Sequence, residues 1–144
     1  MTQEQKELLL KNLCARLDTN LVCSIYRTDD EGVGYRDEIL HGYCKGDIWY
    51  EFYFREDCSI SVDNVSKIKP YLFPLSSMTE EQKKEYNRWK HEVPICHYEY
   101  GDVVEEIELF DSPESFEYLI ENHFDYHGLI PMGLAIDATG KNIY

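Results

Sequence analysis

Apolar residues recur at helical spacing over residues 2–17, where Leu9, Leu10, Leu13, Cys14 and Leu17 fall on one face and Leu8 widens the stripe. Thr2 and Gln5 stand at capping-box spacing. This predicts an amphipathic helix packed on a sheet. The pattern then turns to β-branched and aromatic runs. Residues 21–26 (LVCSIY), 35–43, 48–55 (IWYEFYFR) and 58–62 each predict a strand. The links at 28–34, 45–47 and 55–57 are short. Short links join antiparallel neighbours, because a parallel pair needs a long crossover. In the third strand, Ile48, Tyr50, Phe52 and Phe54 share one face, and Trp49, Glu51, Tyr53 and Arg55 the other. The first set is the expected core.

The clearest local signal is residues 68–86, IKPYLFPLSSMTEEQKKEY. Pro70 and Pro74 fix φ, lack an N–H and push Lys69 and Phe73 out of the helical region. Tyr71, Leu72 and Phe73 between them read as a partly extended connection lying on the core. Ser76, Ser77 and Thr79 offer cap oxygens, and Thr79 and Gln82 have capping-box spacing. Glu80 and Glu81 in the first turn, with Lys83, Lys84, Arg88 and Lys90 after them, suit the helix dipole. A helix over about 80–91 follows, and Pro94 bars its extension. Residues 95–100 and 103–110 predict two strands joined at Gly101-Asp102. In the second, Val103, Glu105, Ile107 and Leu109 alternate with Val104, Glu106, Glu108 and Phe110, the wetter set. Asp111 or Ser112 caps a third helix with Pro113 at its first position. Phe116, Leu119, Ile120 and His123 are its inner stripe. Gly128 and Pro131 break the chain, and 134–138 predicts a short last strand. The sum is an α+β fold: an antiparallel meander of about four to six strands with about three helices, mainly on one face.

Length and composition narrow this further. The 144 residues, 43% hydrophobic, suit a single domain over 1–144. No apolar run reaches the ~18 residues of a membrane span, and the first residues lack the pattern of a signal peptide. A cytoplasmic protein is expected. Five Cys without a CxxC pair read as reduced thiols, most of them packed as small apolar groups. The net charge of −14 is uneven. Residues 1–90 hold thirteen Lys/Arg and sixteen Asp/Glu, whereas 91–140 hold no Lys or Arg against twelve Asp/Glu. Such a half repels nucleic acid and membranes and favours a basic partner. An acidic surface also serves simple solubility.

Catalytic signatures are lacking. The chain has no glycine-rich phosphate loop and no GxSxG elbow, and no motif implies a cofactor. Ser76 and Ser77 read as turn and cap residues. His123 and His127 have the spacing of two metal ligands on one helical turn, but an HExxH motif is absent because position 124 is Phe. The acids at 29–31 and 105–108 lack the ligand order of a calcium loop. Cys96 and His97, neighbours in a strand, point to opposite faces, which argues against a dyad. A binding surface is the remaining chemistry. Trp49, Glu51, Tyr53 and Arg55 combine rings and charges on one strand face, and Glu105, Glu106 and Glu108 supply the acidic part. A cross-strand aromatic cluster is the structural alternative for the first group.

KPYLFPLSSMTEEQKKEY, together with HFDYHGLIPMGLAIDAT near the C-terminus, resembles a family of small proteins carried by phages and integrated elements of gut Bacteroidales. The likeness covers the leucine-rich helix, the central stretch and the tail from about Ser115, and leaves 21–63 unmatched. It implies a setting, a mobile element inside a bacterial cytoplasm, and carries over no activity or site residue. The expectation is a non-enzymatic protein that binds a basic host protein, in its sharper form by imitating DNA phosphates. The alternative is a nucleotide-type small-molecule binder, which needs basic residues such as Arg27, Arg36, Lys45 and Arg55 to gather locally. A metal-dependent enzyme using His123 and His127 is the third reading.

Overall fold

A computed structural model describes residues 1–29, 32–45, 50–55 and 58–144. The fold is α+β, with strands in mainly antiparallel sheets. The sequence reading takes 1–144 as one domain; its contacts gather into two compact units, Met1–Ser77 with His123–Tyr144, and Met78–Asn122. Among the described residues no helix is long and apolar enough to cross a membrane.

In the larger unit, α1 (Gln3–Ala15) begins at the expected capping box, with Thr2 Oγ1 accepting from Gln5 N–H and Gln5 Oε1 accepting from Thr2 N–H. Strands β1 (Val22–Asp29) and β2 (Gly32–Ile39) form an antiparallel pair. The single strand expected over 35–43 is broken at Leu40–His41. There Leu40 N–H donates to Leu21 O at 2.8 Å and His41 N–H to Tyr53 O at 2.8 Å. The chain thereby leaves one sheet and enters a second, of β3 (Gly42–Lys45), β4 (Tyr50–Arg55) and β5 (Cys58–Ser61). The expected meander is thus shared between two sheets.

A 3₁₀ turn, Val62–Lys67, leads into β6 (Ile68–Leu72). The stretch read as an extended connection is in fact an interior strand. It pairs antiparallel with β1 and parallel with the two-residue β9 (Ile136–Asp137), giving the order β2-β1-β6-β9. Proline inside a sheet normally removes a ladder bond. Pro70 is tolerated because β9 pairs only with Tyr71 and Leu72 and leaves the proline unpaired on that side. Leu9 and Leu13 of α1, Cys23 and Ile25 of β1, and Phe52 and Phe54 of β4 are fully buried together. Of the described cysteines only Cys23 is buried; Cys14, Cys44 and Cys96 are exposed free thiols, against the expectation of packed ones. In α1 the buried side runs through Leu9, Asn12, Leu13 and Arg16 and leaves out Cys14, and Cys96 stands in a two-stranded sheet exposed on both faces.

The smaller unit holds α2 (Glu80–Arg88), β7 (His91–Glu99), β8 (Asp102–Phe110) and α3 (Pro113–Glu121). The capping box of Thr79 and Gln82 is formed in α2. Helix α2 stops at Trp89, earlier than the sequence suggests, because β7 starts at His91 and contains Pro94. Ser112 caps α3, with Pro113 in its first turn. Replacing Thr79 by alanine is expected to cost about 1 kcal/mol through the lost cap. A urea titration followed by helical circular dichroism, with Gln82→Ala beside it, measures this.

Candidate binding surface

The β7–β8 hairpin is the part of the smaller unit with the most open chemistry. Its turn is Tyr100-Gly101, with φ of 51° and 85°. Positive φ at both central residues matches the twist of two-residue hairpin loops, and Gly101 supplies it without a Cβ penalty. The register runs from Glu99↔Asp102 to His91↔Phe110. Directly opposed residues share a face. One face therefore carries Val93, Ile95 and His97 with Val104, Glu106 and Glu108. The other carries Glu92, Pro94, Cys96 and Tyr98 with Val103, Glu105, Ile107 and Leu109.

Both faces are open. Tyr98 is 82% exposed, Ile107 65% and Val103 62%, and only Ile95 and Val104 are half-buried. The set expected to face inward is thus at least as open as its alternate. The physical reason lies in the topology: the hairpin is a separate two-stranded sheet, so no second layer is built into it. Among the described residues neither edge has a further strand neighbour.

Among the described residues no Lys or Arg pairs with a carboxylate of the hairpin. The smaller unit holds thirteen Asp/Glu against four Lys/Arg, and those four all precede the hairpin. Lys83 pairs with Glu80, Arg88 with Glu85, and Lys90 with Asp111. Among the described residues no Lys or Arg makes an ion pair with Glu105, Glu106 or Glu108. Within the hairpin, Glu99 has His97 Nε2 at 3.9 Å.

Two polar contacts hold the helices of this unit together. The Tyr86 hydroxyl donates to the Asp111 carboxylate, and the Ser112 hydroxyl to the Trp89 carbonyl. Burial, then the Asp111 carboxylate, raises the Tyr86 pKa. Lys90 Nζ lies 4.4 Å from the centre of the Tyr86 ring. Ser115 and Leu119 form the buried side of α3, whereas Phe116, expected there, is 41% exposed. The inward stripe is rotated so that Ser115 can bond Asp111 and the Ser112 carbonyl.

The other expected binding residues lie in the larger unit, so the seven are divided between the units. Trp49 falls outside the described residues, and Arg55 is placed by its backbone alone, at the end of β4. Glu51 and Tyr53 are half-buried on the face opposite Phe52 and Phe54. The Tyr53 hydroxyl donates to Glu51 at 3.2 Å, which holds the phenol pKa up. Gly42 and Ser59 flank Tyr53 across the sheet.

The two histidines do not lie on a helical turn. Helix α3 ends at Glu121, and His123 has φ +60°, which ends helical geometry before His127 is reached. His123 is buried, with its ring stacked on Tyr144 at 3.9 Å. His127 Nδ1 lies 3.3 Å from Asn12 Nδ2, which donates to it. Among the described residues no three His, Cys, Asp or Glu side chains gather as a metal site.

The histidines belong instead to a polar cluster that the sequence reading missed. Arg16 is fully buried; its Nε donates to Asn12 Oδ1 at 2.9 Å and its Nη2 to the Phe124 carbonyl. Its guanidinium lies 5.4 Å from the Tyr126 ring centre. Asp125 accepts from the N–H groups of Leu129 and Ile130, both at 2.8 Å. The only sequence signal for this was an arginine three residues after Leu13, within the span of the leucine stripe. The chain matches no family model, no curated protein and no solved structure.

Proposed function

We propose that this is a non-enzymatic binding protein that docks on a basic protein surface through the β7–β8 hairpin. The supporting observation is a hairpin open on both faces, whose carboxylates meet no lysine or arginine among the described residues. A two-stranded hairpin alone is marginally stable in water. Covering the face of Pro94, Tyr98, Val103, Ile107 and Leu109 would remove a run of apolar surface from solvent. Charge complementarity selects the occupant: Glu92 and Glu105 sit within that face, and a cationic partner supplies what the hairpin lacks. A second copy, itself at −14, is repelled. In the setting implied by the resemblance, a mobile element in a bacterial cytoplasm, the partner is a host protein. A nucleic-acid-binding protein has the required surface.

The test is capture of partners along a salt series, with a variant carrying Glu105→Lys, Glu106→Lys and Glu108→Lys. The expected partners are basic, weaken at least tenfold between about 0.05 and 0.3 M salt, and are lost by the variant while its circular dichroism is unchanged. Added duplex DNA should compete if the partner binds nucleic acid. Partners that are not basic and survive high salt would overturn the reading. So would a dimer in light scattering that Ile107→Asp dissociates, since the face would then belong to a second copy.

A further inference from the structure

The smaller unit carries a hollow of about 270 Å³ where the end of α2 meets one face of α3. Trp89 lines it from the C-terminal cap of α2, and Glu114, Glu117, Tyr118 and Glu121 line it from α3. The four residues of α3 stand at i, i+3, i+4 and i+7, the spacing of a single helix face. No lysine or arginine is among the lining residues. Arg88 and Lys90, the chain neighbours of Trp89, are held by Glu85 and Asp111. Acids alone would make only a solvated helix face, but here two fixed rings wall them. The Ser112 hydroxyl donates to the Trp89 carbonyl and ties the end of α2 to the start of α3. The Tyr118 ring stacks on Tyr86, with 6.2 Å between centres. Trp89 is nonetheless 45% exposed, so much of its indole is open to a guest.

We propose that this hollow binds a linear aliphatic polyamine. An ammonium group is attracted both to carboxylates and to the face of an aromatic ring, and tryptophan is the strongest such ring. The methylenes between amines lie well on apolar surface, as lysine stems do. Without a guest, α3 is arranged against itself. Glu114 and Glu117, three apart, and Glu117 and Glu121, four apart, are like-charge neighbours of the kind that weakens a helix. Glu121 ends the helix, where the dipole favours a cation, yet the last turn holds no basic residue. The Glu114 carboxyl is held below the usual carboxylate range by its own N–H, then by Ser112, and last by His91. Spacing selects the guest. At ~1.5 Å per residue the three carboxylates rise along α3 by about 4.5 Å and then about 6 Å. Amines joined by three and by four methylenes, with standard C–N and C–C bonds, stand about 5 Å and about 6 Å apart. A triamine with both spacers therefore brings one amine to each carboxylate, whereas a diamine reaches two. The volume lies below the ~300–1,000 Å³ of larger ligand pockets, which suits a slender chain. The hollow shares no residue with the hairpin, and the two readings stand or fall separately.

Calorimetry and thermal melting of the full chain test it, with spermidine, putrescine, 1,3-diaminopropane, magnesium and acetyl-lysine amide at matched ionic strength. Spermidine is expected to raise Tm saturably. It should bind about tenfold or more tighter than either diamine, the usual scale for one charged hydrogen bond. Glu117→Gln, at an exposed position, removes the central carboxylate and is expected to weaken spermidine by about tenfold or more. Trp89→Leu is expected to weaken it severalfold through the lost ring. Glu81→Gln makes the same charge change in the same unit but outside the hollow, and should leave binding unchanged. No saturable response to spermidine overturns the proposal. So does magnesium binding as tightly as spermidine, an equal loss in Glu81→Gln, or an undiminished response in Glu117→Gln. Acetyl-lysine amide binding as tightly as spermidine overturns it too, since the hollow would then take a partner's side chain.

Discussion

Replacing Arg16 by methionine is expected to lower the stability of the larger unit by about 3–5 kcal/mol, the scale for removing one partner from a buried charged network. Methionine keeps much of the volume but donates nothing. The Phe124 carbonyl and Asn12 Oδ1 then lose a buried donor. The effect also reaches across the chain, because Arg16 ties the end of α1 to a segment 108 residues away. Burial lowers the guanidinium pKa, and Tyr126, Tyr144, Asp125 and Cys23, each negative only once ionised, act against that. Arg16→Lys keeps the charge but not the fork, and should fall between the two. Urea unfolding monitored by circular dichroism decides the matter. A loss below about 1 kcal/mol for methionine would mean that the network contributes little net stability.

Acidification from pH 6.5 to about 4 is expected to destabilise the larger unit by about 2–3 kcal/mol through His123. Burial, and then the charge of Arg16, lowers the imidazole pKa from 6.5 to about 4. In the unfolded chain His123 takes up a proton below pH 6.5, while in the native state it stays neutral until about pH 4. The unfolded state therefore binds more protons across that window, and stability falls as pH falls. The full shift would give about 3.4 kcal/mol, at ~1.36 kcal/mol per pH unit; partial solvation reduces it. His127, also lowered, chiefly by burial, adds in the same direction. Glu114 and Asp137, both with lowered pKa values, lose their contribution only at lower pH. Urea midpoints at pH 7 and 4.5 measure the slope. His123→Asn tolerates the left-handed backbone and does not titrate, so it should flatten most of it. An equal slope in that variant would remove His123 as the cause.

Local signals were legible wherever one residue's chemistry sufficed. The capping boxes at Thr2 and Thr79 and the proline at the start of α3 need only neighbours within one turn. The alternation in 50–55 identified Phe52 and Phe54 as core. Pairing was not legible in the same way. Tyr71, Leu72 and Phe73, between two prolines, read as a partly extended connection, yet Ile68–Leu72 form an interior strand, because distant β1 and β9 supply partners on either side. The site was less legible than the fold. Glu105, Glu106 and Glu108 are plain in the sequence, but the alternation that made Val104, Glu106, Glu108 and Phe110 the wetter set did not predict their exposure. Both faces of that hairpin are exposed, and period-two alternation alone does not reveal whether a second layer exists.

The sequence by itself determined the caps, the breaks at proline and glycine, the α+β class and the charge asymmetry, because each depends on residue type and short spacing. Tertiary structure alone decided two things: the division into separate sheets and the burial of Arg16 with the histidines. Those depend on segments 30 to 110 residues apart meeting in space, and the entropic cost of such closure rises by only about 0.6 kcal/mol per doubling of loop length. Local patterning carries no record of which distant partner repays that cost.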